Sequence, residues 1–559
     1  MAADGRPYDP ELVVEFAFGA TWQTPEASRT WVDVSAWAEV ALSSNRGRTN
    51  ELELFSAARC TITLNNDDRR FDPLNTAGPY YGLLVPGVPV RVRALLNGVS
   101  YPRFSGFADG FHHKPGTHSG TVTVPCADGF KTLAGVPLPR TVYEHEVKSD
   151  GPWLYWPLTE SATDLASDLS GNKRDGVYSR RSITQGADTL RPFAGGSLEI
   201  VEGATVAVAG PAGQRITSGS ITFEAWVLPH ALPVGTAYIT RIGSGSTDDG
   251  SLLAITDADG GSIIFAAKYA DARAGVWDLP TAAQPWHIVV GWDDDAGKYN
   301  CFIDGVERAA KFDPGPPWSP DSFPPRVIVG HDAGQSLVGR VSDVAIYNAA
   351  PTAELARRHY NAAVRPWFGD LTGQRVERIL DLIGWPEDLR DIDPGAVVCG
   401  NADIAGMSAL DYLQVLAQTE QGRLFIAADG KLTFHSLDRT LTGPSACTFT
   451  DDGTGAGIVE GSLTFTLDDT FVYDAAEVQR KYGPYQRAGV DVPTKVVSIT
   501  GLASRDDRRA RVLAERLVAR YRTPRTRADA WTVQPQNDPS SWAAILALEV
   551  GDVVTLDAT

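Results

Sequence analysis

Three groupings of side chains have the types and spacing from which chemistry could be built. His112 and His113 with His118 are the first, since neutral imidazoles brought together suit zinc or nickel. Lys114-Pro115-Gly116-Thr117 between two strand-like runs reads instead as an exposed hairpin loop. Consecutive strand residues there point to opposite faces and cannot share an ion, so no metal site is expected. The second grouping, Asn66-Asp67-Asp68 with Asp72, offers the hard oxygens that calcium prefers. It lacks the spacing and the turn glycine of a calcium loop and reads as an Asx-rich turn. The third is Arg508, Arg511, Arg516 and Arg520, which flank the apolar stripe Ala510, Leu513, Ala514, Leu517 and Tyr521 of an amphipathic helix. Asp506, Asp507 and Glu515 interrupt the arginines and no aromatic residues interleave for base stacking, so a solvated face or an inter-subunit contact is expected rather than a nucleic-acid stripe.

Catalytic sets are not found. A glycan hydrolase needs two carboxylates flanking the scissile bond. Glu224 stands between Phe223 and Ala225 and points away from their face, which makes it a surface or turn-bonding residue; Asp343 is expected to pair locally with Arg340. Gly243-Ser244-Gly245-Ser246 and Gly453-Thr454-Gly455-Ala456-Gly457 lack the lysine and the strand-loop-helix setting of a phosphate loop. No Gly-x-Ser-x-Gly and no His-Glu-x-x-His occurs. The expectation is a protein that is not an enzyme and carries no cofactor.

The elements that would position such residues are mostly strands. The 559 residues suggest about three to five domains. Abundant Gly, Pro, Thr, Val and Trp suit a mainly β, multidomain chain. A net charge of −19 argues against gripping nucleic-acid phosphates. Five scattered cysteines without a C-x-x-C spacing are expected to be reduced and buried. The opening residues show no signal peptide, and no apolar run reaches the ~20 residues of a membrane span.

The middle of the chain has the sharpest strand signals. Ile221, Phe223, Ala225 and Val227 alternate to give a half-buried strand; Trp286–Trp292 and Tyr299–Ile303 follow, the last ending at an Asp304-Gly305 turn. The set Tyr155-Trp156-Pro157-Leu158, Phe223-Glu224-Ala225-Trp226-Val227, Trp286-His287, Phe302-Ile303-Asp304-Gly305 and Gly339 to Asn348 resembles the laminin-G-like, concanavalin-type jelly roll. That resemblance implies a β-sandwich over 151–362 that serves as lectin, adhesion module, enzyme or spacer. Jelly rolls commonly bind glycans through exposed aromatics, which makes Trp277, Trp318 and Tyr269, in loop-like or edge contexts, the candidate glycan contacts. Some also hold calcium, for which no motif is present.

The flanks read as β-barrel or sandwich domains with a small α+β part. Strands are expected at Glu11–Phe18, Thr30–Ser35, Ala58–Leu64 and Val88–Ala94, with Phe104–Phe111 and Gly120–Cys126 as two arms of a hairpin. Helices are expected over Thr372–Ile383, stopped by Gly384, and from a capping-box start at Ser408 to Gly422; Arg423–Ala427 and Lys431–His435 then pair across Asp429-Gly430. A further helix begins at a cap in Ser504–Asp507, and Val553–Leu556 is a strand with no visible returning partner, as if another subunit or further sequence completes it.

The run Arg59–Asn75, Gly78-Pro79-Tyr80-Tyr81 and Gly87–Val92 resembles the opening of minor tail proteins of long-tailed actinobacterial phages, and Ala417–Ile426, Asp429–Phe434, Ile458–Gly461, Val472-Tyr473-Asp474 and Glu549–Leu556 continue the same pattern. Phe71, Pro73, Tyr80 and Gly87 are the matching positions and read as structural. The resemblance implies a tail-tip hub divided into an N-terminal tail-tube-like domain (1–150), the jelly-roll insertion (151–362), an α+β domain (363–440) and a C-terminal β domain (441–559). It further implies a trimer in the virion that contacts distal tail or tail-tube proteins, the tape measure and other tail-tip proteins, while the jelly-roll resemblance makes host cell-wall polysaccharide the external partner. The alternatives are a dedicated glycan adhesin and a cell-wall glycan hydrolase.

Overall fold

The structure is a computed structural model that describes residues 10–558 apart from 40–42, 49, 51, 115–119, 180, 202–207, 211–218, 244–250, 258–259, 269–272, 281–283, 312–325, 331–336, 442–443, 453–455 and 536–538. The fold is mainly β. Among the described residues the helices are α1 (Gly129–Gly135), α2 (Val142–Ser149), α3 (Ala353–Val364), α4 (Thr372–Ile383), α5 (Ala409–Glu420), α6 (Leu437–Leu441), α7 (Asp507–Tyr521) and α8 (Trp542–Ala547). None is long and apolar enough to cross a membrane.

The chain divides into two compact units. One comprises residues 1–138, 368–401 and 406–559; the other comprises residues 139–367 with 402–405. The three flanking segments therefore share one unit, while α2, at 142–149, belongs with the inserted unit.

In the first unit an antiparallel sheet runs in the order Val32–Asp33, Glu11–Phe16, Pro89–Leu96, Val99–Ala108, Thr121–Ala127, Arg59–Asn65 and Ser43–Asn45. The segment leaving Val32–Asp33 reaches the far side of this sheet, where Ala38 bridges Leu64 and Glu39 N–H donates to the Thr63 carbonyl. The sheet thus curls into a barrel. Alternation puts Val14, Phe16, Cys60, Ile62, Leu64, Val90, Val92, Val122 and Val124 in its core. The arm from Val99 to Ala108 pairs chiefly with Pro89–Leu96, and the hairpin partner of Thr121–Ala127 is the short strand His112–Lys114.

Beside the barrel, α4 and α5 bury Val376, Ile379, Leu380, Leu413 and Leu416. Gly384 ends α4 at φ +73°, and Ser408 with Asp411 forms the capping box of α5. Gln421, not Gly422, takes the left-handed position at the end of α5, with φ +61°. The hairpin Arg423–Ile426 and Leu432–His435 forms as expected and gains a third, parallel strand, Arg390–Ile392. Val553–Asp557 does have a partner, since it lies parallel to Ser445–Thr450. The cap of α7 is Asp506, whose carboxylate accepts from Arg508 N–H.

The flanking segments of this unit interlock. Arg46 pairs with Glu549, whose other oxygen accepts from Ala428 N–H at 2.7 Å; Phe55 lies 5.7 Å from Phe425; Gln23 Nε2 donates to the Ile383 carbonyl at 3.2 Å.

The second unit is a sandwich of two sheets. One runs in the order Ile183–Ala187, Ser197–Ile200, Gly339–Tyr347, Ile221–Pro229, Trp286–Asp293, Lys298–Ile303 and Val306–Glu307, with Leu154–Trp156 also on Gly339–Tyr347. The facing sheet is built from Leu165–Ala166, Gly176–Tyr178, Val208–Ala209, Arg326–Val329, Thr236–Gly243, Ser251–Thr256, Ser262–Lys268 and Arg273–Asp278. Ile221, Phe223, Ala225, Val227, Ile288, Val290, Ile255 and Phe265 fill the space between them. The strand Ile221–Pro229 is not half-buried. Thr222, Glu224 and Trp226 on its other face are buried as well.

Candidate functional site

Glu224 is the polar centre of that second face. Its strand lies between Trp286–Asp293 and Gly339–Tyr347, with Glu224 opposite Val289 on one side and Ala345 on the other. α2 and α3 pack over this face and present Tyr143 and His359 to the carboxylate. Tyr143 Oη and His287 Nε2 each donate to Glu224 Oε1 at 2.7 Å; Tyr347 Oη donates to Oε2 at 2.7 Å; His359 Nδ1 lies 3.1 and 3.0 Å from the two oxygens. The opposite ring nitrogen of His359 donates to Asp150 at 2.9 Å, and Arg358 binds Asp150 and Glu146. The result is a relay from the sheet through α3 to the end of α2. Glu224 is therefore no surface residue. A strand whose reverse face is covered by helices buries every position, and a carboxylate placed there must be fully bonded.

The electrostatics follow from that enclosure. Burial alone would raise the Glu224 pKa, but the charge on His359 and the hydrogen bonds from His287 and His359 hold it well below the usual carboxylate range. Burial likewise opposes charge on His359, and Glu224 and Asp150 more than offset it, raising that imidazole to about 9. Tyr143 and Tyr347 are pushed well above the ordinary phenol value, first by burial and then by the adjacent Glu224 charge. Both remain hydrogen-bond donors.

A second buried ion pair lies alongside. Asp343 adopts φ +53° at a β-bulge where two residues, Asp343 and Val344, stand opposite Ala225. Its carboxylate receives Arg191 in a bidentate pair at 2.9 and 3.0 Å, Tyr155 Oη at 2.8 Å and Ser342 Oγ at 2.9 Å. The partner of Asp343 is thus Arg191, while Arg340 faces Asp188 at 3.5 Å. Regular alternation would put residues 340 and 343 on opposite faces. The bulge turns the Asp343 side chain away from the inter-sheet core, which holds Val341 and Val344, and Arg191 and Tyr155 meet it there. The Arg191 guanidinium also lies 4.3 Å over the Tyr143 ring, which joins the two networks.

Glu224, His287, His359 and Asp343 are all 0 % exposed. None of the four side chains is open to solvent. What the arrangement does chemically is fasten α2 and α3 to the sheet.

The expected glycan contacts are placed differently. Trp277 is fully buried in the sandwich core among Ile263, Phe265 and Tyr299, so its ring is not offered to a ligand. Its place in the strand Arg273–Asp278 faces it inward. Trp318 and Tyr269 lie outside the described residues.

The other groupings resolve into local structure. His112 is exposed and His113 Nδ1 stands 3.7 Å from Asp72; His118 lies outside the described residues. The Asn66–Asp72 turn uses its oxygens on backbone N–H groups of the turn and of the neighbouring Gly120, and on Arg69 and Arg70. Asn66 Oδ1 accepts from Phe71 N–H at 2.8 Å, Asp67 from Gly120 N–H at 2.7 Å and Asp72 from Leu74 N–H at 2.9 Å. Among the described residues no three His, Cys, Asp or Glu side chains are grouped to hold a metal. All five cysteines are buried and unpaired.

Sequence reasoning missed Tyr143, Asp150, Arg191, Tyr347 and His359. The available signal was a charged residue set in the apolar run Ile221–Val227, which demands a buried partner if the strand is central.

Comparison with known proteins bears on the second unit. Residues 202–355 match the family described as the concanavalin A-like lectin/glucanases superfamily, with a laminin-G-type profile. No curated protein matches the chain. Among solved structures, Trypanosoma rangeli sialidase in complex with 2,3-difluorosialic acid aligns at 14% identity and a TM-score of 0.30, over 60% of this chain and 57% of its own. Domain 4 of AbnA, a GH43 extracellular arabinanase from Geobacillus stearothermophilus, aligns at 14% and 0.27, over 37% of this chain and 97% of that one. The botulinum neurotoxin serotype D ligand binding domain aligns at 10% and 0.30, over 39% and 52%. The chain thus spans less than two thirds of the sialidase and of the neurotoxin domain. At these scores the alignments carry no functional argument. The family match, together with the two facing antiparallel sheets, makes residues 202–355 a concanavalin A-like, laminin-G-like jelly-roll domain.

Proposed function

We propose that this chain is a structural protein of a phage tail tip, in which the first unit is the scaffold and the jelly roll is carried on it as a module for contact with cell-surface glycans. The observation that carries the reading is the interlocking of the two flanks, through Arg46–Glu549, Glu549–Ala428 and Phe55–Phe425, into one unit around an inserted lectin-like fold. A polypeptide built so can fix a binding module to an assembly without giving up its own core. The sequence resemblance of the flanks to minor tail proteins supports the assembly side, and the match to a lectin-containing family supports the glycan side.

On this reading the scaffold self-associates as a trimer and meets distal tail or tail-tube proteins and the tape measure in the virion. The protein is not an enzyme, which is supported by the sealing of Glu224 and Asp343 away from solvent. No resident cofactor or metal is proposed. The test is the position and copy number of the chain in intact particles, together with binding of the full chain to host cell-wall polysaccharide. Three copies at the tail tip and wall binding lost on deleting 151–362 are expected. A chain that is absent from purified particles overturns the assembly role, and binding that survives the deletion overturns the glycan role.

A further inference from the structure

The surface of α7 carries a charge opposite to the rest of the molecule. Residues 505–527 contain nine arginines against three acids, a local charge of +6, which leaves −25 on the remaining residues of this −19 chain. The inner face of the helix, with Ala510, Leu513, Ala514 and Leu517, packs on Ala476, Val478 and Leu502. The outward face is where the unpaired cations lie. Arg508 and Arg511 on the helix, and Arg522 and Arg525 just beyond it, are exposed and form no ion pair or side-chain hydrogen bond with any described residue. Neighbouring basic groups do have partners: Arg509 Nη2 donates to the Glu420 carbonyl at 2.8 Å, Arg527 meets Asp468 at 3.2 Å and Arg480 meets Asp507 at 2.5 Å. Asp507, the acid that could have neutralised the first turn, is thereby engaged. Val512, 45% exposed, sits between the arginines and gives the stripe an apolar centre.

We propose that this arginine face of α7 docks on the acidic surface of a second copy of the same chain. The proposal rests on the self-association read above and assigns it a surface. Charge complementarity selects the occupant, since a cationic stripe on a chain whose remainder carries −25 is matched by that remainder. A contact between unlike patches is heterologous, and it closes a ring when the rotation between copies allows. Nucleic acid is the poorer partner. Asp506 and Glu515 interrupt the stripe, no aromatic ring interleaves for stacking, and the surrounding negative charge repels a phosphate backbone.

The test uses the full chain and sedimentation equilibrium. Wild type is expected to self-associate, with an association constant that falls about tenfold between 0.1 and 0.5 M sodium chloride, because rim charges are screened at high salt. The triple variant Arg508→Glu, Arg511→Glu, Arg522→Glu should weaken association by about tenfold or more at low salt. Glu515→Arg, which extends the stripe, should strengthen it, so that loss through misfolding is separated from loss of charge. Association unchanged in both variants overturns the assignment to α7 and leaves self-association standing. A wild type that stays monomeric throughout overturns both. Variants that lose only binding to a DNA duplex while still assembling assign the stripe to nucleic acid and overturn the proposal.

Discussion

Raising the pH should unfasten α3 from the jelly roll, because the fastening depends on a proton held by His359. The imidazole, 0 % exposed, bridges Glu224 and Asp150, and its value is about 9 in the fold against an ordinary 6.5. A folded value above the unfolded one stabilises fully below about pH 6.5 and loses that contribution as the pH rises through about 9. The difference corresponds to roughly 3 kcal/mol, with a slope approaching 1.4 kcal/mol per pH unit inside the window. Glu224 does not offset this, since its depressed value places its own loss at acid pH, well below 4.5. Replacing His359 by Gln removes the titrating group and leaves the carboxylate to Tyr143, His287 and Tyr347. At pH 6 the variant should lose about 3–5 kcal/mol, the usual cost of stripping one partner from a buried ion pair. By pH 10 the two proteins should converge to within about 1–2 kcal/mol, as the wild type has by then lost its roughly 3 kcal/mol share. Hydrogen exchange of peptides spanning Ala353–Val364, corrected for intrinsic rates, reads the local opening free energy of each protein across that range. Parallel pH profiles for wild type and variant would refute the reasoning.

Three further outcomes follow from the same geometry. Asp343→Asn should destabilise the jelly roll by about 3–5 kcal/mol in urea unfolding by leaving Arg191 buried without its counter-charge, whereas Arg191→Met with Asp343→Leu should recover most of that loss. Gly291→Ala should cost about 1–3 kcal/mol or more, because its Cβ would collide with the backbone oxygen of Ile221, and thermal unfolding of the jelly roll reads it. Native protein should expose fewer than one thiol per chain to a disulfide reagent while denatured protein exposes all five, since each cysteine is buried and burial pushes Cys60, for one, up to about 12.

The elements legible in the sequence are those whose cause is local. Ile221–Val227 alternates, Asp304-Gly305 supplies the two positive φ angles of a tight turn at +54° and +74°, and Thr372–Ile383 has both its stripe and its terminal glycine. The parallel pairings could not be read, since Val553–Asp557 finds Ser445–Thr450 more than a hundred residues away and neither strand encodes its partner. The buried relay was hidden for a related reason. Alternation reports one covered face, and the cover on the other is supplied by α2 and α3, from opposite ends of the inserted unit. Tyr143 and His359 look like ordinary residues of amphipathic helices until those helices are laid over Glu224. Asp343 was misread because its counter-charge, Arg191, lies more than a hundred residues away in sequence, and the bulge that turns the carboxylate toward it has no composition signal.

The relay has a consequence for how the chain tolerates its own interruption. Its links run from α2, just after the chain enters the insert, to α3, just before it leaves, so the insert clasps its two ends together. To the flanking polypeptide a folded insert is then a short bridge, whereas an unfolded one is a loop of more than two hundred residues. Logarithmic loop-closure entropy makes that difference about 2–3 kcal/mol in favour of the flanks coming together. The module between the clasped ends becomes exchangeable: another sandwich with the same end-to-end spacing could replace it without asking the flanks to find each other anew.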